Sequence, residues 1–116
     1  MKLPNVSNHT FNDEEYTVVF GDIKENTTAE ELAETQKSCS IENADDILAL
    51  TDDRGTENQT ILISDKIKNS KELLRVLLDE SLHACNSDLD NDTVHIYATD
   101  ISDFLWKCGF RYRNAS

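Results

Sequence analysis

The run LLRVLLDESLHAC, residues 73–85, decides how this chain is read. Its apolar residues recur at steps of three and four, the spacing of a helix with one buried face. Counting about 100° per residue from Leu73, the positions of Val76, Leu77, Leu74, Leu78, Leu82, Ala84 and Cys85 fill one broad apolar arc. Arg75, Asp79 and His83 fall together outside it, on the face that water would wet. Glu80 does not join them, because it lies at about 340°, between Val76 and Leu73. A carboxylate placed there must reach solvent, take up a proton or meet a partner, since burying it bare is strongly unfavourable. Asp79 and His83 are four apart, so their side chains stack one turn apart along the edge of that arc.

Working outward, Ser70 offers a cap, and the spacing predicts a helix over 70–85. NSDLDND (86–92) is a turn. A last helix follows over 92–108, where Val94, Tyr97, Ala98, Ile101, Phe104, Leu105 and Cys108 make a full apolar stripe and Gly109 supplies the stop. Upstream, DILAL (46–50) and QTILIS (59–64) read as strands, and TDDRGTEN between them, with Gly55, reads as a hairpin loop. YTVVF (16–20) is a short strand ended by Gly21. TTAEELAETQKSC (27–39) is a helix with a Thr cap and Glu30 or Glu31 in its first turn. The first dozen residues, polar and carrying Pro4, read as a loose arm. The order is strand, helix, hairpin, helix, helix. That is a single α+β domain over 1–116, a small, mainly antiparallel sheet covered by helices.

Composition narrows the partners. Asp and Glu number 23 against 11 Lys and Arg, a formal net charge of -12, which repels nucleic acid phosphates and anionic membranes alike. No run approaches the roughly 18 apolar residues of a membrane span, and MKLPNVSNHTF lacks the apolar core of an export signal. The expectation is a cytoplasmic protein. There, three cysteines at positions 39, 85 and 108 stay reduced, and Cys85 and Cys108 read as small core residues. Acidity by itself keeps a protein soluble. It also suits a basic partner, a bound cation or mimicry of DNA charge.

Asp79-Glu80-Ser81-Leu82-His83 has the spacing of the His-Glu-x-x-His helix of zinc peptidases, with Asp in place of the first His. The bland alternative is an amphipathic helix with one polar intrusion. More than the motif is in register, however. Gln59-Thr60-Ile61, Leu77-Leu78, Glu80, His83-Ala84, the acidic residues at 90 and 92, Ala98 and Gly109-Phe110 together resemble a family of small phage and prophage zincin-like metallopeptidases, over about residues 47–112.

That resemblance implies a minimal zincin-like domain, with Glu80 as general base and His83 as a zinc ligand. It makes Asp92, or else Asp90, the third ligand, although either Asp serves equally as a helix cap. It further implies that the strand at 60–64 pairs with an extended peptide by edge addition. Asp79 is the departure: a carboxylate can bind Zn2+ or a harder divalent cation, yet two acids beside Glu80 make the ion a weaker Lewis acid. His95 is an alternative ligand, or else surface; His9 lies in the arm. Trp106 with FRYR (110–113) anchors the end of the last helix, or forms a contact surface. Three functions stay open: a degenerate zincin-like pseudoenzyme that binds a peptide or protein, a working metal-dependent hydrolase on Asp79, His83 and Asp92, and an acidic binding or inhibitor protein of the DNA-mimic type.

Overall fold

Asn12 and Asp13 take left-handed backbone conformations, φ 49° and 65°, as the central pair of a tight hairpin turn does. The turn folds the chain's start back on itself. In the computed structural model, which describes residues 1–52 and 59–113, a strand β1 (Asn8–Phe11) pairs antiparallel with β2 (Glu14–Gly21), Phe11 opposite Glu14. The expected loose arm over 1–12 is therefore corrected: Met1 and Leu3 pack against the core, and Phe11 meets the fully buried Tyr16 edge-on at 5.7 Å. Its polar composition hid a strand that an Asn-Asp turn makes local.

Helix α1 (Ala29–Ser38) begins as its sequence predicts. Thr28 accepts from the Glu31 amide at 3.1 Å, and Thr27 donates to the Glu31 carboxylate at 2.7 Å. A short 3-10 turn (Ala44–Asp46) comes next, then β3 (Ala49–Asp52) and β4 (Thr60–Ser64), paired antiparallel. The strand expected at 46–50 thus starts three residues later, because residues 44–46 coil instead. The hairpin loop around Gly55 lies outside the described residues.

The sheet order is β1-β2-β4-β3. β2 and β4 run parallel, while the two outer pairings are antiparallel, so the sheet is mixed. β4 is central, with a strand on each side. Its alternating side chains serve two cores. Ile61 and Ile63 join Tyr16, Leu73 and Val76 under the next helix, and Leu62 joins Ile23 and Ile47 on the other face, against Leu32 of α1. The expectation that 60–64 offers an edge to a peptide is corrected, since both of its edges are filled.

Helix α2 (Ser70–Cys85) is capped by Asn69, which accepts from the Glu72 amide at 2.8 Å. Ser70, expected as the cap, is instead buried and accepts from the Tyr112 amide at 2.7 Å, tying the chain's end to the start of α2. Helix α3 (Asn91–Lys107) is capped by Asp90 through the Thr93 amide at 2.7 Å. Its buried line is Val94, Ala98 and Ser102, small residues that let it lie close along α2. Most of the expected stripe faces outward: Tyr97, Ile101, Phe104 and Cys108 are exposed. Cys85 is exposed too, so neither cysteine is a core residue. Gly109, at φ 96°, ends α3 as predicted, with its amide on the Trp106 carbonyl and the Phe110 amide on that of Leu105. Arg111 then stacks 3.3 Å over the Trp106 ring, an anchor for the end of the helix. Among the described residues no helix is long and apolar enough to cross a membrane.

Candidate functional site

The helical wheel placed Glu80 among apolar neighbours, and the side chain is indeed 7% exposed. It survives there because β3 supplies a partner. The pleat that sends Leu50 toward α1 sends Thr51 toward α2, and the Thr51 hydroxyl donates a short hydrogen bond to Oε2 of Glu80. Burial nevertheless prevails. It pushes the Glu80 carboxyl up from 4.5 to about 7, helped by the negative charge of Asp79 and opposed by Thr51, His83 and Arg75.

Asp79, one residue earlier, stands at the rim with 17% of its side chain exposed, and three nitrogens converge on it. Oδ1 lies 3.4 Å from Nε2 of His83; Oδ2 lies 3.8 Å from Nη1 of Arg75 and 3.7 Å from Nδ1 of His95. Two of these contacts are one helical turn away on α2, as i,i+4 spacing dictates. The third reaches across from α3, so His95 leans on Asp79 while most of its ring remains in water.

These groups share a cleft of about 510 Å³ whose walls are α2, the first turns of α3, β3 and the segment after α1. Asp79, Glu80, His83, Asp92 and His95 all line it. Asp92 is exposed at its mouth. Asp90 is occupied as the α3 cap, and its hydrogen bonds to Thr93 hold its carboxyl below the usual carboxylate range. Of the two candidate aspartates, only Asp92 faces the cleft. His9 lies on β1, its ring 4.7 Å from that of Phe11, and does not line the cleft.

Compared with protein-family models, curated proteins and solved structures, the chain matches none of them.

Among the described residues no three His, Cys, Asp or Glu side chains are grouped so as to hold an ion. Asp79, His83 and Asp92 line one cleft without forming such a group.

Two features of the site carry little signal in the sequence. Thr51 opens the polar run that reads as a hairpin loop yet belongs to β3; its only signal is that Ala49-Leu50-Thr51 can continue a period-2 pattern. The second is the outer edge of β3, with no strand beside it among the described residues. The Ser64 amide donates to the Leu48 carbonyl at 2.8 Å, so Leu48, and with it Leu50, belongs to the hydrogen-bonded pairs of the antiparallel ladder. Ala49 and Thr51 therefore turn their main-chain N–H and C=O groups away from β4, on the side where Ala49 lines the cleft and Thr51 an adjoining hollow.

Proposed function

We propose that this chain is a zincin-like protein of the phage type its sequence resembles, with a degenerate metallopeptidase site. In this reading it holds a peptide or protein segment without hydrolysing it. The supporting observation is the contact between Asp79 and His83. Where the resemblance calls for a first histidine ligand stands a carboxylate, 3.4 Å from Nε2 of the second. Whenever that imidazole is protonated, the two form an ion pair, and a protonated Nε2 has no lone pair to offer a cation. Arg75 and His95 engage the same carboxylate, and Thr51 ties Glu80 to the sheet. The cluster is satisfied by its own charges.

The outer edge of β3 gives such a protein a way to bind. An extended segment laid along Ala49 and Thr51 would gain main-chain hydrogen bonds and rest its side chains in the cleft. The reading places this work in the cytoplasm, that of the host cell if a phage encodes the protein, with no role for nucleic acid or a membrane.

A second reading, a metal-dependent hydrolase with Glu80 as base and Asp79, His83 and Asp92 on the ion, is favoured by one observation. The Glu80 carboxyl, at about 7, sits near the range a general base needs. Metal content per chain separates the two, measured by mass spectrometry on protein purified without chelator or metal-affinity resin, beside His83→Ala. We expect only trace metal in both proteins, unchanged after incubation with zinc. Near-stoichiometric divalent ion in the native protein, lost in His83→Ala, would overturn the degenerate-site reading.

A further inference from the structure

Six large hydrophobic side chains are exposed among the described residues, and five of them, Ile96, Tyr97, Ile101, Phe104 and Phe110, belong to α3 or the turn that ends it. Phe104 is 66% exposed and Tyr97 48%. The patch has a periodicity. Tyr97, Ile101, Phe104 and Cys108 follow one another at steps of four, three and four, the spacing of a helix–helix seam. Tyr97, Ile101 and Phe104 lie within about 60° of one another around the axis. The monomer leaves this face unused, because α3 meets α2 through Val94, Ala98 and Ser102 instead.

The charges beside the seam specify what covers it. Asp100 and Lys107 lie on the same flank, within about 20° of each other and about 10 Å apart along the helix. Neither makes an ion pair within the described residues. In a parallel two-fold pair each flank faces the opposite flank of the other helix, so Asp100 and Lys107 would meet neither each other nor their own mates. An antiparallel copy reverses this. With Asp100 opposite Lys107 of the second copy, a two-fold axis passes between residues 103 and 104. Both ion pairs then form at once, Phe104 meets its own mate near the axis, and Tyr97 falls opposite Phe110. Antiparallel helix dipoles favour the same arrangement.

We propose that the protein self-associates through this face of α3, as an antiparallel, two-fold symmetric dimer. The interface is the same patch on both copies, as two-fold closure requires. One helix face is small beside a standard interface of about 800 Å² per partner, so the dimer is a weak one that dissociates on dilution. The seam lies away from the cleft, and dimerisation leaves the edge of β3 open in both copies.

The test is sedimentation velocity over a concentration series on the full chain and four variants. Phe104→Asp should weaken the dimer about tenfold or more, the effect of losing a central aromatic contact, with an unchanged melting curve because Phe104 packs little within the monomer. Asp100→Lys alone and Lys107→Asp alone should each weaken it several-fold by setting like charges opposite each other. The double variant Asp100→Lys/Lys107→Asp should restore it, since both pairs re-form reversed. A native chain monomeric at every concentration would overturn the proposal, as would a dimer indifferent to Phe104→Asp. Single charge changes that strengthen association, or a double variant weaker than either single one, would overturn the antiparallel arrangement.

Discussion

Thr51, on the edge strand of the sheet, donates its hydroxyl hydrogen to Glu80, which helix α2 carries among apolar side chains 29 residues later in the chain. That bond joins two of the elements that wall the cleft. Removing the donor in Thr51→Val leaves a buried acceptor unsatisfied, a loss of about 1–3 kcal/mol. The expected result is a lower urea midpoint at pH 8 and a smaller loss at pH 5, where the carboxyl is protonated. In a Glu80→Gln background the same substitution should matter less, because the charge that needs the donor is gone.

The pH dependence of stability follows from the position of the Glu80 carboxyl, pushed from 4.5 to about 7 in the fold. A group whose folded value is raised favours the fold while protonated. Its contribution is complete below about 4.5 and is lost as the pH rises through about 7. At 1.36 kcal/mol per unit, the full change is on the order of 3 kcal/mol. Other carboxylates titrate as well, so the measurement is a difference. Glu80→Gln should gain on the native protein as pH rises from 5 to 8, then level off. A gap that stays constant would show that Glu80 titrates at its ordinary value in the fold.

Much of this arrangement could be read from residues 73–85, and the reasons are local. Glu80 was conspicuous because helical periodicity is strict, and its burial needed only the identities of its neighbours along the helix. The start of α1 was legible for the same reason, since capping by Thr28 is a short-range contact. Two short-range features were missed, the Asn12-Asp13 turn and the Asn69 cap; the other failures were non-local. The outward face of α3 carries as good an apolar pattern as the inward one, and only the docking of α2 selects Val94, Ala98 and Ser102. The centrality of β4 depends on a parallel pairing with β2 that no hairpin signal announces. Cys85 and Cys108 satisfy helical spacing and still face water.

The capping assignment is open to a simple comparison. Asn69 accepts from the Glu72 amide, so Asn69→Ala should lower stability by about 1 kcal/mol. Ser70→Ala leaves that cap intact but frees the Tyr112 amide. Hydrogen exchange at Tyr112 should then accelerate, while the first turn of α2 keeps its protection. Loss of protection in that turn would restore Ser70 as the cap.

The outer edge of β3 predicts an alternation in amide exchange. Ala49 and Thr51 point their N–H groups outward, while Leu50 bonds inward to β4, so Leu50 should exchange much more slowly than its two neighbours. Uniform protection across 49–51 would mean that another part of the chain covers the edge, and strand addition there would be lost as a binding mode.

If the site is degenerate because of one residue, restoring that residue should restore the metal. Asp79→His rebuilds His-Glu-x-x-His on α2, placing two imidazoles four apart on the rim of the cleft, the spacing that lets one zinc ion meet both. It also removes the carboxylate that now holds His83, Arg75 and His95. Calorimetric titration with zinc should show close to one site per chain in the variant, and none of comparable affinity in the native protein. His83→Ala added to the variant should abolish it. Because Asp79 lies on the rim rather than in the core, the substitution should leave the fold intact, which circular dichroism would check. A folded variant that still ignores zinc would mean that the loss runs deeper than Asp79, into the placing of Asp92 at the mouth of the cleft, and Asp92→Glu, with its longer reach, is the variant to combine next.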